Sequence, residues 1–242
     1  MTGIYKKRKM KKYIQSMMAL AAIVSFASCS SEDNTIIENE SAVKVMTFTA
    51  TQEGDSQSTR AAISTTDSKV INWEENDQIS IFDGTTNNPF TLKSGAGTNS
   101  AIFQGKAASA ATYTAVYPYQ SDATLSGSSV ENVTLKATQN ATDNSFDKEA
   151  ALMMAVGDKN TLVFKNVVGF VKVKPLFNCS KIELKAFDNS AILAGTGTLS
   201  YNDGNPTLDL SNATTKDYAI TLEGDIEANN YYYIAVPPVT LK

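Results

Sequence analysis

From Val43 onward the chain repeats one pattern: short segments rich in Val, Ile, Thr, Phe and Tyr, separated by Gly, Asn, Asp and Ser. Branched and aromatic side chains suit a pleated, half-buried surface, and the separating residues tolerate turn backbones, so the pattern predicts an all-β sandwich. A first set of candidate strands covers residues 43–50, 78–82, 90–92, 100–104, 112–117 and 130–136. Residues 112–117 alternate smaller and larger side chains as a half-buried strand does, and Pro118, which has no N–H for a ladder, ends it. Residues 137–148 are polar and poor in strand formers. A further set follows at 152–156, 161–164, 168–174, 181–187, 191–194, 197–201, 207–210, 218–222 and 231–236, with Asn202-Asp203-Gly204-Asn205 as a strong hairpin turn. No long stretch has helical periodicity. The two sets predict an N-terminal β-sandwich domain over 43–150 and a C-terminal one over 151–242. The C-terminal domain reads as unfinished, because an apolar strand pattern and Pro237-Pro238 stand at its very end. Two explanations fit equally: a fragment, or a sheet with a vacant place for a strand from elsewhere.

The first residues follow a different pattern. Lys6, Lys7, Arg8, Lys9, Lys11 and Lys12 precede an almost wholly apolar run over 17–27, the charged-then-apolar order of a secretory signal; Met10 also fits as a start. The run is shorter than the roughly 20 residues a membrane-spanning helix needs. Its small-residue end, Phe26-Ala27-Ser28-Cys29, resembles the lipobox of bacterial lipoproteins. That resemblance implies removal of residues 1–28, with lipid on the Cys29 sulfur as the link to the outer membrane. The other reading is an ordinary cleaved signal with an incidental cysteine. Ser30-Ser31-Glu32-Asp33 is similar to the acidic tag that sends lipoproteins of some Gram-negative gut and oral anaerobes to the cell surface. Residues 29–42 are polar and aperiodic, as a disordered tether would be.

Composition narrows the function classes. The six basic residues before Cys29 leave with the signal and no acidic one does, so the formal charge moves from −4 to −10. An acidic chain disfavours nucleic acid, whose phosphates are bound by concentrated Lys and Arg. With Cys29 carrying lipid, Cys179 has no partner and no intrachain disulfide is expected. The chain has no histidine, which removes the usual general base, the Ser-His and Cys-His pairs and the commonest zinc ligand. Catalysis, a cofactor and a metal are therefore not expected.

Several segments, in order, resemble the fimbrillin-like lipoproteins, the fimbrial subunit family of Gram-negative gut and oral anaerobes. They are Met46-Thr47-Phe48-Thr49-Ala50, Thr59-Arg60-Ala61, Trp73-Glu74-Glu75-Asn76-Asp77 with the strand after it, Tyr113 to Pro118, Leu162 to Val167, Leu193-Ala194-Gly195-Thr196 and Tyr231 to Pro238. The resemblance implies two tandem transthyretin-like Greek-key β-sandwiches that join other fimbrial subunits by donor-strand exchange. A protease removes the first strand, and a strand from the next subunit fills the groove. Carried onto this chain, the cut falls at Arg60-Ala61, which would release the 43–50 strand together with the lipid. A solvated loop arginine is the plainer reading of Arg60.

Other motifs are weighed against simpler roles. Glu74, Glu75 and Asp77 could pair for glycoside cleavage but read better as a solvated turn beside Trp73. Asp83 to Asn88 lacks the spacing of a calcium loop and reads as a hairpin. Neither Gly95-Ala96-Gly97 nor Gly195-Thr196-Gly197 completes a phosphate-binding motif. Tyr231-Tyr232-Tyr233 could stack on sugar, although alternate tyrosines in a strand commonly face core and water in turn. The expectation is a surface-exposed outer-membrane lipoprotein, in a fimbrium or as an adhesin for a host or bacterial surface glycan or protein. The rival is a surface glycan-binding lipoprotein that does not polymerise.

Overall fold

In the computed structural model, residues 42–53, 72–84 and 86–239 are described, and all lie in one compact unit, Asn39–Lys242. The chain is all-β, and no helix of seven or more residues occurs among the described residues. No described helix is long and apolar enough to cross a membrane.

Seven strands form a ring of ladders. They are β1 (Lys44–Gln52), β2 (Gln78–Phe82), β3 (Asn87–Ser94), β4 (Ser100–Ala107), β5 (Tyr113–Tyr117), β9 (Met153–Gly157) and β10 (Thr161–Asn166), in the spatial order β1-β10-β9-β5-β2-β3-β4. Side chains alternate across each strand, so one set from every strand fills the interior: Phe48, Ile79, Ile81, Phe90, Phe103, Tyr113, Tyr117, Met153, Leu162 and Phe164. Trp73 lies among them, with its ring edge-on to Phe103, Tyr117 and Phe164 at centroid distances of 5.0, 5.3 and 5.5 Å. Such edge-to-face contacts match the positive ring edge to the negative ring face.

The remaining strands are β6 (Thr124–Ser126), β7 (Ser129–Leu135), β8 (Thr138–Asn140), β11 (Gly169–Val173), β12 (Cys179–Lys185), β13 (Ala194–Asn202), β14 (Asn205–Asp209), β15 (Lys216–Asp217), β16 (Ala219–Ile226) and β17 (Tyr232–Val236). One sheet, in the order β14-β13-β7-β6 with β15 beside β13, packs on the outside of the ring. There Phe82, Val116, Leu152 and Met154 meet Val130, Val133, Leu135 and Leu199. This outer layer explains why every residue of β5 is buried, whereas its alternation predicts a half-buried strand. A third core, including Ile220, Leu222, Tyr232 and Ile234, is built by the sheets β12-β16-β8 and β11-β17.

The ladders do not divide at residue 150. β9 and β10, expected to open the C-terminal domain, pair into the ring: β9 joins β5, and β10 joins β1. In the other direction, β7 pairs with β13 and β8 with β16. Burial accounts for both crossings. The inward residues Met153, Ala155, Leu162 and Phe164 complete the aromatic interior, and the apolar Val130, Val133 and Leu135 share with Leu199 of β13 the face that packs on the ring.

Candidate functional site

The site follows from the position of β1. It runs antiparallel to β4 in unbroken register from Lys44 opposite Ala107 to Thr51 opposite Ser100. It runs parallel to β10 only over its second half, from Thr49 opposite Thr161 to Gln52 opposite Phe164. The sequence TFTA places Phe48 and Ala50 inward and Thr47 and Thr49 outward, so the first pair is buried and the second exposed. The Phe48 ring stands edge-on to Phe90 at 5.3 Å and to Tyr113 at 4.9 Å. Met46 adds its sulfur 3.7 Å from the Tyr113 hydroxyl. A Glu53–Lys165 ion pair at 3.0 Å follows the strand; with Glu53 57% exposed it contributes little.

Both flanks of residues 54–71 end on one hairpin turn. The Gln52 N–H donates to the Asn99 carbonyl at 3.2 Å, and the Trp73 N–H donates to the Thr98 carbonyl at 2.8 Å. The chain thus leaves β1 and re-enters the core at neighbouring residues of the β3–β4 turn. Arg60 and Ala61 lie outside the described residues, as does Cys29. Among described residues Cys179 is a free, half-buried thiol.

Another cluster ties the Trp73 turn to the 3-10 turn at Lys148–Ala150. Glu74 and Glu75 are exposed as expected, but Asp77 is buried. Its Oδ2 accepts from the Glu74 N–H at 2.8 Å, and its Oδ1 lies 3.3 Å from both the Tyr117 hydroxyl and Lys148 Nζ. Lys148 Nζ also reaches Glu74 Oε2 at 3.2 Å. Burial raises the Asp77 pKa, against the lowering effect of the Glu74 N–H, Lys148 and Tyr117. Burial lowers the Lys148 pKa, but the Asp77 and Glu74 carboxylates outweigh it and the net shift is upward. Asp77 Oδ2 thus closes its own turn, and Oδ1 links that turn to Lys148.

The remaining sequence candidates have structural roles. Asp83 Oδ1 accepts from the Thr86 N–H at 3.1 Å, and Oδ2 from the Ala108 N–H at 2.9 Å, which ties the β2–β3 hairpin to the end of β4. Among the described residues no group of three or more acidic or Cys side chains could hold a metal ion. Gly195 and Gly197 lie where a Cβ would meet the Thr215 and Asp209 carbonyl oxygens, so they serve close strand approach. Tyr232 faces the core and Tyr231 is exposed, with Lys172 Nζ 3.8 Å from the centre of its ring.

The contribution of β10 to the seat carries no signal in the sequence, because ladder partners distant in the chain leave no local pattern. The burial of Asp77 is equally silent in Glu74-Glu75-Asn76-Asp77, which reads as solvated turn chemistry. Comparison with protein-family models, with curated proteins and with solved structures returns no match.

Proposed function

We propose that the chain is a lipid-anchored surface subunit that assembles with other fimbrial subunits by donor-strand exchange, with β1 as the strand given up. The carrying observation is the placement of both flanks of residues 54–71 on Thr98 and Asn99. A cut between those flanks leaves Trp73 in the core on one side and makes β1 a separate, non-covalently held strand on the other. Removal of β1 would expose the β4 edge and the inner faces of Phe90, Phe103 and Tyr113, which is the arrangement an incoming strand completes by main-chain hydrogen bonds and alternate side chains. Until then β1 covers an edge that would otherwise invite aggregation. On this reading the ring and the C-terminal sheets are the two tandem transthyretin-like sandwiches of such subunits, and Cys29 holds the uncut form at the outer membrane.

The rival reading, a monomeric glycan-binding lipoprotein, is not favoured by its best candidate. One face of the Tyr231 ring is taken by Lys172. The test is limited digestion of the folded chain with an arginine-specific protease. The expected product begins at Ala61, and Arg60→Ala abolishes it. Resistance at Arg60, the one arginine after Arg8 in the sequence, would sink the proposal.

A further inference from the structure

The most exposed large apolar side chains of the described residues are not on β1. Leu176 is 82%, Phe187 75% and Phe177 72% exposed, and of these Leu176 and Phe177 stand side by side in the loop between β11 and β12. Two neighbouring large apolar residues this exposed call for an explanation, since burying either would be favourable. The loop is held in place at both ends. The Asn229 N–H donates to the Pro175 carbonyl at 2.8 Å, and the Ala228 N–H donates to Asn178 Oδ1 at 2.8 Å. The tip is therefore presented on a fixed base.

Behind the tip lies a collar of cations and an aromatic ring. Lys172 Nζ sits 3.8 Å and Lys174 Nζ 5.2 Å from the centre of the Tyr231 ring. Tyr231 is 39% exposed, with an apolar body and a polar hydroxyl. The facing loop carries Glu227, whose Oε2 accepts from Asn230 Nδ2 at 3.3 Å. Two apolar side chains are too few for a protein interface, which takes about 800 Å² from each partner. They suit a shallow wedge. Apolar tip residues enter the acyl boundary, tyrosine sits at headgroup depth, and lysines with long apolar stems reach anionic headgroups.

We propose that the β11–β12 loop is a membrane-contacting wedge that seats Leu176 and Phe177 in an anionic bilayer surface, with Lys172 and Lys174 on the headgroups. This contact is separate from the lipid on Cys29 and from strand exchange.

The test uses the chain from residue 29 onward carrying Cys29→Ser, which keeps the whole compact unit, so that neither the basic, apolar signal nor an attached lipid contributes. It is mixed with vesicles of phosphatidylcholine and phosphatidylglycerol in equal parts, or of phosphatidylcholine alone, and binding is read by co-sedimentation. The anionic vesicles should bind it, and Leu176→Ser with Phe177→Ser should weaken that binding about tenfold or more. Lys172→Gln with Lys174→Gln should weaken it about twenty-five-fold on anionic vesicles and leave the neutral ones unchanged, from roughly fivefold per lysine. A Phe177→Trp reporter should be quenched by brominated lipid. All four side chains are at the surface, and melting curves matching that of the Cys29→Ser parent exclude misfolding. No vesicle binding, equal binding by the double-serine chain, or self-association that the serines abolish without vesicle binding would each overturn the proposal; the last would assign the tip to another copy of the chain.

Discussion

Truncation of Phe48 to alanine tests the seating of β1 directly. The side chain is fully buried and packs edge-on against Phe90 and Tyr113. Its replacement removes the transfer energy of the ring, leaves a cavity, and deletes two aromatic pairs. Phe→Ala in cores costs about 3–5 kcal/mol, and two edge-to-face contacts place this site toward the upper part of that range. A loss of about 4 kcal/mol lowers the melting temperature of a unit this size by roughly 8–16 °C. The same loss weakens retention of β1 about a thousandfold if the strand dissociates as a unit. Urea unfolding followed by circular dichroism measures the first quantity, and hydrogen exchange at the β1 amides the second. Thr47→Ala, on the exposed face of the same strand, is the control and should stay within about 0.5 kcal/mol. A Phe48→Ala loss below about 1 kcal/mol, or one equal to that of Thr47→Ala, would refute the seat and the strand-exchange reasoning built on it.

Other expectations concern the parts that hold the seat in shape. Gln139 is fully buried and pairs its side-chain amide with both the N–H and the carbonyl of Ala235, at 2.9 and 2.8 Å, in place of a neighbouring strand. Gln139→Leu strands both groups and should cost about 2–4 kcal/mol in urea unfolding; a neutral result would show that water replaces the amide. Because burial raises the Asp77 pKa, its contribution to stability is full below the unfolded value and falls as pH rises through the folded one. The stability of the wild type relative to Asp77→Asn should therefore decline from about pH 3 toward neutrality, and a relative gain over that window would mean that Lys148 outweighs burial. Gly195 has φ +143° and no room for a Cβ, so Gly195→Ala should lower the melting temperature by several degrees, whereas Gly204→Ala, which meets nothing within 4 Å, costs only the strain of its positive φ.

The sequence reveals strands wherever a segment is long enough to show alternation. Gln78–Phe82 falls where the pattern puts it, and Asn202 pairs with Asn205 across Asp203-Gly204, both at positive φ, as the turn chemistry requires. The polar strands Thr124–Ser126, Thr138–Asn140 and Lys216–Asp217 escape notice because two or three residues carry no period. Residues 191–194 and 197–201, read as two strands, are largely one strand beginning at Ala194. Gly195 continues it at positive φ, and the register shifts between Gly197 and Leu199. Pairing partners are the largest gap. Nothing local in Thr161-Leu162-Val163-Phe164 says that it lies beside a strand more than a hundred residues earlier, because register is decided by which buried faces fit. The site was legible only in outline. The β1 strand stands out in the sequence, but not the ring that it closes, nor the shared hairpin turn under both flanks of residues 54–71.

The measurement closest to the central claim follows strand release and replacement. The lipid-free chain is cut with the arginine-specific protease and incubated with and without a synthetic peptide of residues 42–53, then run on denaturing gels without heating. Cut chains should lose the β1 fragment and form detergent-resistant ladders, the peptide should suppress them by refilling the seat, and Arg60→Ala chains should form none. Cut chains that release β1 yet stay monomeric and do not take the peptide back would contradict strand exchange, as would ladders that appear equally in Arg60→Ala.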